Sequence, residues 1–148
     1  MKVLKWLGLG IGFLFLGFLL FVGVMFYKVK YGFPIYEKTP PELSLSPKDF
    51  NVLLYTKTNG FRHESAIAGG AKMFETLAKK NIWNLIQTEN GAVFNPELLP
   101  FFDVVIWNNV TGRNLNKTQK EDFKNYMLSG GHFIGIHGAG DDSHRWPW

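Results

Sequence analysis

Three short stretches carry nearly all the side chains that could do chemistry. The first is Lys57, Thr58, Asn59, Arg62, His63 and Glu64; the second is Asn108, Asn109, Thr111 and Arg113. The third is His137, Asp141, Asp142, His144 and Arg145, followed by Trp146. Three of the four histidines lie in these stretches. Imidazole and carboxylate groups in one place suit general acid–base chemistry, and His63, His137 and Asp141 are the candidates for it. His137, Asp141 and His144, joined by His63, also form a mixed nitrogen and oxygen set of the kind that holds zinc or a similar divalent cation, although their spacing matches no established metal motif. Thr58, Arg62, Asn108, Thr111, Asp142, His144 and Trp146 are candidates for holding a ligand.

Other chemistries are disfavoured. There is no cysteine, which excludes disulfides, thiolate metal sites and cysteine nucleophiles. Gly135-x-His137-x-Ala139 has the form of a nucleophile elbow, but His stands where Ser or Cys would attack, and no G-x-S-x-G occurs. Gly135-x-x-Gly138-x-Gly140 lacks dinucleotide-binding spacing. Asn109-Val110-Thr111 and Asn116-Lys117-Thr118 match glycosylation acceptors, a pattern common by chance.

Each candidate also has a plain structural reading. His63 could cap the helix that follows, Arg62 could pair with Glu64 or Asp142, and Asn108 and Asn109 could form a turn. His137 could be a hydrogen-bonded strand-end residue. Asp141 and Asp142 could form a helix cap, and Trp146 and Trp148 could belong to a core.

The three stretches follow short apolar runs, which must be the elements that position them. Phe50–Tyr55, Ile82–Gln87, Asp103–Trp107 and His132–His137 read as strands buried on both faces, because they do not alternate. Ile67, Ala71, Phe74 and Ala78 recur at helical spacing after the first strand, with Lys79 and Lys80 at the end of that helix. Asn95-Pro96 starts a short helical turn. Asn116 caps another helix with Gln119 as its capping-box partner, an inner face of Phe123, Tyr126 and Met127, and a stop at Ser129-Gly130-Gly131. The order β-α-β-turn-β-α-β predicts an α/β domain with a parallel sheet covered on both faces. The candidate residues then share the carboxyl edge of that sheet, where ligands bind in such folds.

The amino-terminal part is of a different kind. Residues 1–30 hold four lysines and no acid, and the rest of the chain balances 12 basic against 12 acidic residues. The net charge of +4 therefore belongs to the lysines around an apolar segment and gives no support to nucleic-acid binding. Trp6–Tyr27 is 22 residues without a charge, enough to cross a bilayer, with an aromatic ring at each end. Its length and the poor cleavage site at Val24–Tyr27 favour an uncleaved anchor over a signal peptide. The expected partner of residues 6–27 is the lipid bilayer, in a single-pass membrane protein. Lys2, Lys5 and the amino terminus slightly outweigh Lys28 and Lys30, which places the domain on the extracytoplasmic (periplasmic) side. Gly8-x3-Gly12 matches a helix-pairing motif, so a homo-oligomer is conceivable, while glycine is also simply frequent in such helices. Residues 31–49, with Pro34, Pro40, Pro41 and Pro47, are expected to be a semi-rigid linker holding the domain off the bilayer.

Three motifs in order resemble one family. Tyr55-Thr56-Lys57-Thr58-Asn59-Gly60-Phe61-Arg62-His63-Glu64-Ser65, then Asp103–Trp107 with Thr111-Gly112, Leu115 and Gln119, then Gly130–Ala139 with Asp141 and Trp146-Pro147-Trp148, are similar to the trehalose-utilisation (ThuA-like) domain. The resemblance covers about residues 50–148. It implies a flavodoxin-like three-layer fold of the class I glutamine amidotransferase-like superfamily, without the amidotransferase cysteine. It also implies a link to carbohydrate utilisation, with a small sugar as ligand, and a pocket built from Thr58, Arg62, His63, Asn108, His137, Asp141 and Trp146. The family domain continues past the position of Trp148, so residues 50–148 are expected to be a domain incomplete at its carboxyl end. The chain is then either a membrane-tethered enzyme, a sugar-binding module, or an inactive fragment.

Overall fold

The computed structural model describes residues 2–45 and 50–148, without the side chains of Lys2 and Arg145; Pro47 and the end of the expected linker lie outside it. The elements are α1 (Lys2–Tyr31), β1 (Asn51–Tyr55), α2 (Glu64–Asn81), β2 (Asn84–Thr88), β3 (Val104–Asn108), α3 (Lys117–Leu128) and β4 (His132–Ile136), with four short 3-10 turns. The four strands form a parallel sheet in the order β2-β1-β3-β4.

The middle of the sheet explains why its strands do not alternate. Leu53, Tyr55, Val105 and Trp107 point to one face and join Phe123 and Tyr126 of α3. Val52, Leu54 and Ile106 point to the other and join Phe74 of α2. A strand covered on both sides must be apolar at every position. β4 departs from that expectation, since Phe133 is 38% and Ile134 46% exposed. It forms an edge of the described sheet, and no strand among the described residues pairs with its outer side.

Local signals set most boundaries. Asn116 Oδ1 accepts from the Gln119 amide at 3.0 Å while the Asn116 amide donates to Gln119 Oε1 at 2.9 Å, so the expected capping box is complete. Lys79 and Lys80 do close α2. Ile82, expected to open β2, is instead the left-handed cap of α2 at φ 58°, with the Trp83 amide returning to the Ala78 carbonyl. β2 therefore starts two residues later. Asn95 Oδ1 accepts from the Glu97 and Leu98 amides and organises a turn, but the 3-10 helix itself begins at Leu99.

α1 is one continuous helix of 30 residues and lies outside the core. Its Val3–Tyr31 stretch is long and apolar enough to cross a membrane; a signal sequence near the amino terminus meets the same test. Apart from the helix's own neighbouring backbone, no atom of the described residues comes within 4 Å of a Cβ placed at Gly8 or Gly12, so that face of α1 is open.

The proline-rich stretch is expected to be a spacer, but residues 32–45 run along the domain. Ile35 and Glu37 bond to Lys57, Thr39 to Asn90 and Ser44 to Asn84, and Leu43 and Leu45 pack on the core. Backbone groups of a proline-rich segment need partners outside it, and neighbouring side chains supply them here.

Candidate functional site

β1 and β3 end side by side at the centre of the sheet, where strand order reverses, and their loops meet at once. Thr58 and Thr111 form a parallel bridge, the Thr111 carbonyl accepts from the Asn59 and Gly60 amides, and the buried Thr111 hydroxyl donates to the Phe61 carbonyl. Gly112, at φ +76°, passes so close that a Cβ there would lie 2.4 Å from the Gly60 nitrogen. Asn114, fully buried, completes the seam: its Oδ1 accepts from the Asn59 amide and its Nδ2 donates to the Thr111 and Gly112 carbonyls. The crevice where such folds usually take ligands is thus closed by the chain's own backbone.

Several expected ligand-binding groups belong to this seam. Asn108 is fully buried, donating to the Ile67 carbonyl of α2 and accepting from Asn109 Nδ2, and Asn109 takes the left-handed turn position at φ 58°. Arg62 uses all three guanidinium nitrogens, on Thr58 Oγ1 at 3.2 Å, Glu64 at 3.0 Å and Glu89 at 2.8 Å. Burial opposes its charge, but the two carboxylates outweigh that and hold its pKa above the usual value. The expected pairing with Glu64 is present, and Glu89 takes the place considered for Asp142.

The β4 tip is built differently. His137 follows the last residue of the strand in the left-handed region, at φ 51°. A non-glycine residue held there costs of order 1–3 kcal/mol, and such residues concentrate at functional turns. His137 is the elbow residue foreseen from Gly135-x-His137-x-Ala139. Its ring meets that of His63 edge-on at 4.5 Å between centroids, and His63 in turn meets Phe61 at 4.8 Å. His63 occupies the cap position of α2 but makes no side-chain cap bond, so its ring is available to the tip. On the α3 side, His137 lines a cavity of about 280 Å³ walled by Trp107, Phe133, Trp146 and Trp148. The Trp107 Nε1 is buried without a partner.

The tail behind the elbow turns back to the β3 loop. Asp141 Oδ2 accepts from the Gly112 amide at 2.6 Å. Asp142 is buried, accepting from the Asn114 and Leu115 amides, and its other oxygen lies 3.3 Å from Lys120 and 3.4 Å from Trp146 Nε1. Asp141 stands at the cap position of the 3-10 turn Asp142–Arg145 but makes no side-chain cap bond. Trp146 packs against Trp107 at 5.7 Å and carries Lys120 over its ring at 5.0 Å, which joins it to the core while leaving it on the cavity wall. His144 is exposed on a second cavity, beside Lys30 and Arg113.

The four groups considered for a metal therefore do not gather. His63 and His137 meet, whereas Asp141 and His144 face the second cavity, and no three His, Asp or Glu side chains converge among the described residues. Four structural partners lie outside the three stretches that the sequence singles out or carry no marked pattern in it: Glu37, Glu89, Asn114 and Lys120. Asn114 carried a weak signal, sitting just past Thr111-Gly112 as a turn-forming residue. Glu37 carried none, because its partner Lys57 lies across the fold. Burial pushes the Glu37 carboxyl up, but hydrogen bonds from Lys57 and the Gly91 amide outweigh this and hold it below the usual carboxylate range.

A parallel sheet of this order, with α-helices on its two faces and a left-handed elbow at the tip of β4, defines a flavodoxin-like α/β domain with His at the elbow. The chain belongs to the ThuA family: the family profile, described as trehalose utilisation, matches residues 51–148. A crystal structure of a ThuA-like protein from Bacteroides uniformis is similar, with 25% identity and a TM-score of 0.56 over 75% of this chain. The aligned part makes up 45% of that protein, so this chain spans about half its length. No curated protein matches.

Proposed function

We propose that the domain takes a small carbohydrate, of the trehalose or keto-sugar type, in the aromatic cavity beside His137. His137 and His63 act on it by acid–base chemistry, and α1 keeps the domain at a membrane, on its extracytoplasmic side. The observation that carries this reading is the elbow: a histidine in a costly backbone conformation, its ring against a second histidine, at the edge of a tryptophan-walled cavity. Indole faces suit the apolar face of a sugar ring, and a few convergent polar groups suffice to orient it. Asp141, on the next turn, holds the Gly112 amide and so supports the tail that carries the cavity wall.

The test is turnover by the full chain in detergent with trehalose and a panel of keto-sugars, with and without a chelator. His137→Ala is expected to lose at least 100-fold in rate, the usual scale of general acid–base assistance. Full turnover by that variant would overturn the assignment, and a chelator-sensitive rate would add a divalent cation to it.

A second reading is a binding module that holds the sugar without converting it. It is favoured by the commitment of Arg62, Asn108, Thr111 and Asp142 to internal bonds, which leaves few free groups for chemistry. Calorimetric binding without product would select it.

A further inference from the structure

The link between α1 and the domain has almost no slack. Gly32, one residue past the helix, adopts φ +67° and sits where a Cβ would be 2.5 Å from the Asn59 carbonyl oxygen. Phe33 donates to that same oxygen at 3.2 Å, and the Ile35 carbonyl accepts from Asn59 Nδ2 and Lys57 Nζ. On the helix itself, Tyr27 accepts from Arg113 Nη2 at 2.7 Å. Tyr27 closes the uncharged run, the position at which an aromatic ring seeks the membrane–water interface. Arg113 stands at the same level, so the carboxyl edge of the sheet faces the surface from which α1 emerges.

Between the helix end and that edge lies a cavity of about 350 Å³, lined by Lys30, Tyr31, Arg113, Lys120, Asp141 and Asp142, with His144 at its side. Its charges are unequally free. The carboxylates are turned onto backbone amides, and Lys120 is paired with Asp142. Lys30 reaches only over the Tyr31 ring, at 5.3 Å, and pairs with no carboxylate among the described residues. Arg113 likewise has no carboxylate partner there, and its Nε is buried with no acceptor. An occupant that is anionic and accepts hydrogen bonds would satisfy both cations.

We propose that this cavity is a phosphate site at the membrane surface and that its ligand is the headgroup of an anionic phospholipid. The inference rests on α1 being a membrane anchor. It makes the edge of the domain a lipid-facing surface, with Arg113 and Lys30 as the phosphate-binding pair, next to the turn that carries Asp141.

The absence of cysteine makes the test direct, because one introduced thiol is unique. The full chain is reconstituted in phosphatidylcholine vesicles with a fluorophore at His144→Cys or at Ile82→Cys, the latter 89% exposed at the opposite edge. Headgroup-nitroxide lipid is expected to quench the label at 144 severalfold more than the label at 82. Equal quenching in protein that stays with the vesicles after a carbonate wash would overturn the placement alone. Release by carbonate would overturn the anchor, and the inference with it.

For the ligand, the thermal midpoint of the unlabelled chain is followed as phosphatidylglycerol replaces phosphatidylcholine. It is expected to rise. Arg113→Gln, which keeps a donor for Tyr27, and Lys30→Gln should each weaken the apparent affinity about fivefold, the effect of one cation near an anionic leaflet. An equal rise on adding inorganic phosphate to phosphatidylcholine vesicles would assign the site to soluble phosphate and overturn the lipid source. A rise unchanged in both variants would overturn the site.

Discussion

Two parts of the carboxyl edge start with similar residues and end differently. Between β1 and β3, the threonines, asparagines and glycines close on one another: the Thr58–Thr111 bridge, the Gly60–Gly112 contact and buried Asn114 leave no opening. At the tip of β4, the histidine faces another ring and an aromatic cavity. The first region lies at the sheet centre and is largely buried, so most of its polar groups find an internal partner, with Asn109 Oδ1 and Arg113 Nε as exceptions among the described residues. The second lies on an edge strand and is free of that demand. An inventory of polar residues locates the edge, while hydrogen-bond accounting decides which part of it can receive a ligand.

If the seam is structural and the tip functional, substitutions should separate stability from binding. The largest effect is expected at Gly112→Ala, which combines a positive φ with a Cβ clash against Gly60. It should cost about 3 kcal/mol or more in denaturant unfolding of the full chain, followed by tryptophan fluorescence. A near-neutral result would mean that the seam is looser than its hydrogen bonds indicate.

Next comes Lys57→Met, which keeps the stem in its buried slot and leaves Glu37 without its cation. A cost of about 2 kcal/mol is expected, less than for a fully buried pair because Glu37 keeps some solvent access. Because the Glu37 pKa is depressed by folding, its contribution is complete above the ordinary carboxylate value of about 4.3. It is lost as pH falls through the lower folded value. The wild-type midpoint should therefore drop at acid pH, and the variant should drop less.

The smallest effect has the opposite sign. His137→Gly relieves the left-handed backbone and should stabilise by about 0.5–1 kcal/mol while abolishing sugar binding in calorimetry. Retained binding would move the site away from the elbow and blur the contrast between the two regions.

Much of this fold was legible from local patterns. Apolar runs marked four strands, and the Asn116–Gln119 pair marked the start of α3, because both signals rest on neighbours in the chain. Ile82 misled, since a β-branched residue at a helix cap looks like the start of a strand. β4 misled in another way: it too reads as a short run that does not alternate, and exposure depends on which elements flank it in space. At the tip of β4, the turn at His137 was legible through its elbow spacing. The burial of Asn108 and the docking of Glu37 on Lys57 were not, because their partners are 41 and 20 residues away.

The rings that fill the core also run without a break to the surface. Tyr55 meets Phe94 at 4.9 Å, Phe94 meets Phe123 at 5.3 Å, and Phe123 stacks on Trp107 at 5.6 Å. Trp107 meets Trp146 at 5.7 Å, which meets Trp148 at 5.0 Å. Chromophores this close share their electronic transitions, and the near-ultraviolet dichroism of such a chain reports its packing. Occupation of the cavity at the far end is expected to shift that spectrum, so the proposed ligand can be followed optically without a label.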